Sequence, residues 1–157
     1  MYSITVPTGM KPVDGYLKIS LPTFFDTYSY PGRPETADTT RTLNLLNQGT
    51  VDTLSGTFCG SLEDAGNALI AVIVRDADGK NVAGATVSTQ PASAKYCYQL
   101  NGYPNKGATE TDTDGLAYMV NVPAGNVTVS ATKTGITFYS HVVNARAGTM
   151  TTTVIVP

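Results

Sequence analysis

The stretch from Leu69 to Thr89, LIAVIVRDADGKNVAGATVST, constrains the fold more than any other part of the chain. It contains an apolar run, an Asp-Gly turn at Asp78 and Gly79, a bend at Gly84, and a run in which polar and apolar residues alternate. Glycine supplies the positive φ that tight turns need, and a period of two is typical of a strand with one buried face. The stretch therefore predicts two β-strands joined by turns.

Strand patterns of the same kind continue to the end of the chain at short spacing. The sequence TDTDG at 111–115 repeats the turn chemistry, and Pro123-Ala124-Gly125 opens another alternating strand. About seven strands are predicted beyond residue 68, the number typical of a β-sandwich. These predicted strands cover residues 69–75, 85–89, 95–100, 116–122, 127–132, 137–144 and 151–156.

The first sixty residues carry fewer strand patterns. Leu17, Ile19 and Leu21 alternate with polar residues, which predicts a half-buried strand over 14–21. An aromatic cluster follows, and its Phe and Tyr side chains are interpreted as core rather than as a binding platform. The aromatic residues of this cluster are Phe24, Phe25, Tyr28 and Tyr30.

One helix is predicted, over residues 48–59. Thr50 is the predicted N-cap, and the apolar residues Val51, Leu54 and Phe58 recur at helical spacing. Gly60 supplies the C-terminal stop. In a chain that is otherwise β, a single short helix is expected to pack over the edge of a sheet or the end of the sandwich.

These patterns divide the chain into three parts. Residues 1–60 form an N-terminal β segment plus the short helix, residues 61–67 form a polar linker, and residues 68–157 form the sandwich. The segment VPTG at 6–9, followed by a strand pattern at 15–20, is similar to VPAG at 122–125 followed by 127–130. Residues 1–35 are therefore hypothesised to be the back half of an earlier, similar unit.

Composition excludes several classes of partner. Only 14% of the residues are charged, about half the usual share, and the net charge is −2. This balance gives no electrostatic reason to bind nucleic acid or an anionic membrane. No apolar run approaches the length of a membrane-spanning helix, and no cofactor is predicted. The chain begins Met1-Tyr2-Ser3 without the pattern of a signal peptide, and we expect an extracytoplasmic protein whose leader is absent from this sequence.

Several turn motifs in one order suggest a family. VRDADGKNVAGATVS, followed by ATETDTDGLAYMVNVPAGNVTVSATKTG, resembles the carboxypeptidase regulatory-like domain over roughly residues 68–157. The matching features are Asp78-Gly79, Gly84-Ala85, Thr111-Asp112, Asp114-Gly115, Pro123-Ala124-Gly125 and Gly135. The resemblance implies a mostly β, seven-stranded, antiparallel transthyretin-like (prealbumin-like, Ig-like) sandwich. It also implies a non-catalytic module of the kind appended to envelope proteins, peptidases and outer-membrane receptors.

Residues able to perform catalysis are few. His141 is the only histidine, so a multi-histidine zinc site is excluded, and its strand context indicates an edge or surface position. Cys59 and Cys97 are the only cysteines, and either a disulfide or two buried thiols fits the pattern. No catalytic residue is predicted, and we expect that the protein is not an enzyme.

Two candidate binding sites remain. Glu110, Asp112 and Asp114 have part of the spacing of a calcium loop, although Asn121 stands where the closing acidic residue belongs, so Asp-Gly turn formation is the preferred interpretation. Tyr96, Tyr98 and Tyr103 are candidates for stacking on a sugar ring, but the chain has no Trp.

The sequence thus predicts a structural or interaction module of a bacterial cell-envelope protein, lipoprotein or secreted protein. Its expected partner is another protein or a neighbouring domain that contacts free strand edges and end loops. The alternative is a carbohydrate-binding module that uses exposed tyrosines.

Overall fold

The computed structural model describes residues 3–157, so the first two residues of the predicted N-terminal segment lie outside the described part. The fold is mostly β, as the sequence predicts, and the described residues form ten strands in two sheets and one short helical segment. The strands are β1 Leu17–Ile19, β2 Thr27–Ser29, β3 Asn67–Val74, β4 Thr86–Gln90, β5 Lys95–Leu100, β6 Tyr103–Asn105, β7 Leu116–Pro123, β8 Gly125–Thr132, β9 His141–Ala145 and β10 Met150–Ile155. The helix α1 spans Gln48–Asp52 and continues as a π-helical segment, Thr53–Phe58.

The larger sheet has seven strands in the order β1-β2-β10-β3-β7-β5-β6, and the smaller sheet has the order β4-β8-β9. Most neighbours are antiparallel, but β10 runs parallel to both β3 and β2. Strand β10 therefore lies between β2 and β3 and pairs with both, so the β1–β2 hairpin extends the larger sheet. As a result, the N-terminal segment and the C-terminal strand share one sheet.

The main core lies between the two sheets. Strand β3 contributes Ile70, Val72 and Val74, and the smaller sheet contributes Val127 and Val129, all fully buried. In β4 the side chains alternate strictly between buried and exposed, as the sequence predicts for a strand with one solvated face.

A second core lies on the opposite face of the larger sheet. Val51 and Leu54 of the helical segment pack there against Leu69 of β3 and Val120 of β7. This layer explains why β3 is apolar on both faces, since each face is covered. The helix lies over a sheet face rather than over an edge or an end of the sandwich, where it was expected.

The helical segment differs from the prediction in two details. Asn47 is the N-cap, because its side chain accepts a hydrogen bond from the N–H of Thr50, the residue predicted to be the cap. Phe58 is 39% exposed rather than buried with Val51 and Leu54. The N–H of Cys59 bonds to the carbonyl of Leu54, five residues earlier, and this wider turn directs Cys59 toward the sheet in place of Phe58.

Several strands differ from the prediction, and β1, predicted over 14–21, spans only Leu17–Ile19. The strand predicted over 137–144 begins at His141, and β6 is an additional short strand that makes eight strands beyond residue 66. Strand β2 lies within the aromatic cluster, and its Tyr28, with the adjoining Tyr30, is buried as expected. The short length of β2 and β6 explains why no alternation marks them in the sequence.

Candidate functional site

The outer edge of β4 is closed by tyrosine hydroxyls. The N–H groups of Val87 and Thr89 donate to the Tyr98 and Tyr96 hydroxyls, at 3.0 and 3.1 Å, rather than to β8. Both tyrosines belong to β5 of the other sheet. An edge strand with unpaired N–H groups invites pairing with another chain, so these two hydroxyls close β4 to strand addition.

The outer edge of β9 is closed at one point. The Asn144 N–H donates to the Tyr30 hydroxyl at 3.2 Å, and its carbonyl accepts a hydrogen bond from Arg146 at 2.9 Å. The Arg146 guanidinium also lies 3.9 Å from the centre of the Tyr28 ring, a cation–π contact. Tyr30, which directly follows β2, therefore supplies one of the two groups that cap this edge.

The outer edge of β1 is open. Asp26 and Tyr30, which flank β2, direct their backbone groups toward β10, so the alternating residues Thr27 and Ser29 face β1. Within β1, the residue opposite Tyr28 is Lys18, and its N–H and C=O therefore point away from β2. In the described part of the chain no backbone or side-chain group caps them.

The tyrosines predicted to stack on a sugar do not form one exposed surface. Tyr98 is buried, and the hydroxyls of Tyr96 and Tyr98 bond to β4. Tyr103 is 68% exposed and lies on β6. The prediction of a three-tyrosine platform is corrected for this reason: an inward-facing tyrosine on β5 uses its ring in the core and its hydroxyl at the edge of the opposite sheet.

We expect Tyr98→Phe to lower the free energy of unfolding by about 1–2 kcal/mol, because the buried N–H of Val87 loses its acceptor. Urea denaturation measures the change. Tyr103→Phe is the matched control, since the Tyr103 side chain is 68% exposed and makes no hydrogen bond to the described residues, and its midpoint should equal that of the unmodified protein. Equal midpoints for both variants would contradict the capping role of Tyr98.

A cleft of about 410 Å³ lies where β2, β10 and β3 begin. Its lining combines apolar and acidic side chains with backbone from two loops: Thr23, Phe24, Phe25, Asp26, Gln48, Glu63, Ala65, Gly148 and Thr149. Asp26 is already engaged, because Lys18 contacts it at 2.7 Å and the Ser20 hydroxyl donates to it. These contacts hold the pKa of Asp26 below its usual value.

Glu63 is the other carboxyl group of the cleft. One of its oxygens, Oε2, accepts a hydrogen bond from the Asn121 N–H at 3.1 Å, and the other, Oε1, is buried without a hydrogen-bond partner. Burial raises the pKa of Glu63 to about 7, and the neighbouring Asp64 contributes in the same direction. Glu63 is therefore a carboxyl group that changes protonation near neutral pH.

Asn121 organises the loop that carries Glu63. It has a φ of 58°, unusual for a residue that is not glycine, and lies at the irregular pairing of β7 with β3. Its side chain accepts a hydrogen bond from the Asp64 N–H at 2.6 Å and donates to the Leu62 carbonyl at 2.7 Å. Asn121 of β7 thus binds both the Glu63 carboxyl group and the backbone on either side of Glu63.

We expect Glu63→Gln to stabilise the protein at pH 8 and to have little effect at pH 4.5. The folded pKa is raised above the unfolded value, so the stabilising contribution is complete below about pH 4.5 and is lost as the pH rises through about 7. Because the side chain is only partly buried, solvent screens the effect and we expect a difference of roughly 1 kcal/mol. Urea midpoints of both proteins from pH 4 to 9 measure it, and parallel curves would contradict it.

The remaining candidate residues are occupied by structural contacts. The Nδ1 atom of His141 lies 2.7 Å from the Thr153 hydroxyl, and burial lowers its pKa. Asp112 accepts hydrogen bonds from the N–H groups of Asn101 and Thr113, which lower its pKa. Asp114 caps the N–H of Leu116.

The acidic residues considered for calcium are not gathered around one point. Over residues 3–157, Glu110, Asp112 and Asp114 form no group of three that could hold a metal ion. Two of the three carboxylates instead cap nearby backbone N–H groups, which is the turn-forming role that Asp often has.

Cys59 and Cys97 form a disulfide, which resolves the two interpretations left open by the sequence. Both residues are fully buried, and the bond joins the end of the helical segment to the middle of β5. It therefore fastens the helical layer to the larger sheet.

The fold and its contacts define a disulfide-linked β-sandwich with a helical layer on the larger sheet. No family model matches the chain, and no curated protein matches it. Among solved structures, a streptococcal ancillary pilin is similar, with 19% identity and a TM-score of 0.40. The match covers 61% of this chain and 33% of the pilin chain, so the matched part spans about a third of that protein, and the likeness carries no argument about function. Among the described residues, no helix is long and apolar enough to cross a membrane.

Sequence reasoning did not identify Glu63, Asn121 or Arg146. A signal existed only for Asn121, since an Asn within an apolar strand is a residue type that tolerates positive φ. The roles of Glu63 and Arg146 depend on partners 58 and 116 residues away in the chain.

Proposed function

We propose that the chain is a non-catalytic structural or interaction module of a bacterial cell-envelope or secreted protein, with the sandwich of the carboxypeptidase regulatory-like family. The disulfide between Cys59 and Cys97 is the observation that carries this proposal. Disulfides persist in oxidising compartments and are rare in the cytosol. The turn motifs at 78–79, 114–115 and 123–125 support the family.

A second support is that many of the polar side chains already make hydrogen bonds that hold the fold together. The tyrosine hydroxyls cap strand edges, Asp112 and Asp114 cap turns, and Asn121 holds a loop. Side chains used in this way stabilise a scaffold, and the scaffold then presents its remaining open edge to a protein partner.

The N-terminal segment fits the partial-repeat hypothesis. Strands β1 and β2 pair antiparallel, as do β8 and β9, and the segment 15–20, which includes β1, is the one that is similar in sequence to 127–130 of β8. We propose that residues 1–35 correspond to the back half of a second unit. We also propose that residues 61–67 link the N-terminal segment, 1–60, to the sandwich, 68–157.

Cell fractionation combined with thiol alkylation tests the proposed function. In the producing cell, we expect the protein outside the cytoplasm, with Cys59 and Cys97 alkylated only after reduction. Recovery from the cytosol with both thiols freely alkylated would overturn the proposal. A glycan array tests the carbohydrate alternative, which predicts binding that is lost on Tyr103→Ala.

A further inference from the structure

We propose that the open edge of β1 pairs with β1 of a second copy of this chain, in an antiparallel two-fold arrangement centred on Ile19. This inference rests on the proposed function, because it names a partner and a surface for an interaction module. Of the four strand edges, β1 alone combines outward-facing, uncapped backbone groups with an apolar stripe that is partly or fully exposed in the described residues. The stripe consists of Leu17, Ile19 and Leu21.

The exposure of this stripe is the first argument. A period of two in apolar residues specifies a strand whose one face is covered. Leu17 is nevertheless 39% exposed and Leu21 is 48% exposed, while the even-numbered neighbour Lys18 lies over the Tyr28 ring. Ile19, between the two leucines, is half-buried, so this face of β1 is covered only in part within the chain, and a second copy can cover the rest.

The other edges are less suited to pairing. The edge of β4 is capped by Tyr96 and Tyr98, and that of β9 is capped at Asn144. Strand β6 has only three residues, and its central residue is Pro104, which has no N–H to donate. This contrast indicates that edge pairing is prevented elsewhere and permitted at β1.

The register follows from charge and backbone direction. With Ile19 opposite Ile19 of the second copy, Lys18 faces Ser20, and Leu17 faces Leu21. The outward backbone groups of Lys18 and Ser20 then exchange hydrogen bonds across the two-fold axis. The apolar stripe becomes continuous across both copies.

Charge complementarity favours this register over its neighbour. Ser20 donates a hydrogen bond to Asp26, and Lys18 contacts the same carboxylate at 2.7 Å. In the register centred on Ile19, each Lys18 therefore lies beside the second copy's Asp26. A register centred on Lys18 would place the two lysines directly opposite each other, which is unfavourable.

Sedimentation velocity tests the proposal on the full chain. Because the paired strand is short, we expect a weak dimer that forms as concentration rises from roughly 10 μM to 1 mM. Ile19→Lys should remain monomeric over that range, since it places two charges on the axis. Val142→Lys is the matched control: Val142 is an apolar residue, 58% exposed, on β9, and this variant should form the dimer as the unmodified chain does.

Disulfide trapping tests the register and does not depend on a destabilising change. Residues on the axis lie close enough to form a disulfide, so Ile19→Cys should give a covalent dimer on oxidation. Ser20→Cys, one position off the axis, should not. The two native cysteines are bonded to each other and do not interfere.

Each outcome decides the proposal. A covalent dimer from Ile19→Cys but not from Ser20→Cys, with loss of self-association in Ile19→Lys, supports it. A monomer at every concentration, a dimer that Ile19→Lys leaves intact, or one that Val142→Lys abolishes would overturn it. The proposed function is tested separately by location and thiol state, so a monomeric extracytoplasmic protein would refute the dimer alone.

Discussion

Replacing Cys59 and Cys97 together with alanine is expected to lower the free energy of unfolding by about 2–4 kcal/mol. The bond closes a loop with a sequence separation of 38 residues, so its loss gives the unfolded chain much more conformational freedom. Urea denaturation of the oxidised protein and the double variant measures the difference. The unmodified protein in the presence of a reductant is the control and should shift by a similar amount.

The region that loses stability in the double variant shows whether the disulfide holds the helical layer in particular or stabilises the whole fold equally. The main core between the sheets does not include the disulfide, whereas the second core does. Hydrogen exchange in the double variant should therefore increase most over the helical segment Gln48–Phe58 and least in β8. An unchanged urea midpoint, or equal increases in both places, would contradict the role assigned to the bond.

Asn121→Ala is expected to lower the free energy of unfolding by about 2–4 kcal/mol. The alanine side chain loses the hydrogen bonds to Asp64 and Leu62, each contributing about 0.5–1.5 kcal/mol, and its Cβ is strained by about 1 kcal/mol at a positive φ. Urea denaturation at pH 5, where Glu63 is protonated in the folded state, measures the change without a contribution from a buried charge.

Asn121→Gly separates the two causes. Glycine adopts the positive φ without strain but makes no side-chain hydrogen bonds, so we expect a loss of about 1–3 kcal/mol, smaller than that of the alanine variant by the strain of about 1 kcal/mol. If the glycine variant were less stable than the alanine variant, backbone strain at this position would be contradicted. If both variants matched the unmodified protein, the loop would not depend on Asn121.

Much of the sandwich could be predicted because its strands are specified locally. The alternation in β4 and the apolar run of β3 fix which faces are buried, and Gly79 and Gly115 mark turns. Gly115 shows why such a motif is restrictive: its φ is 66°, and a Cβ there would lie 2.6 Å from the Val74 carbonyl oxygen. A local conformation that only glycine tolerates can be recognised from sequence.

The helical segment could be predicted only in part. The spacing of Val51 and Leu54 correctly indicates the packed face, whereas the exposure of Phe58 depends on the π-helical turn. That turn brings Cys59 to Cys97, and the position of Cys97 is determined by β5. The backbone conformation of this turn therefore depends on a contact with a distant segment, and the spacing of residues within the helix does not predict it.

By itself, the sequence determined the fold class, the buried face of each long strand and the turns that glycine marks, because these depend on neighbours along the chain. Only the tertiary structure decided which edges are closed and what the tyrosines do. Tyr30 caps Asn144 across 114 residues, and Tyr98 caps Val87 from the opposite sheet. Such hydrogen bonds depend on how the sheets stack, so the same Leu69–Thr89 stretch that specifies the strands leaves open which of their edges can bind a partner.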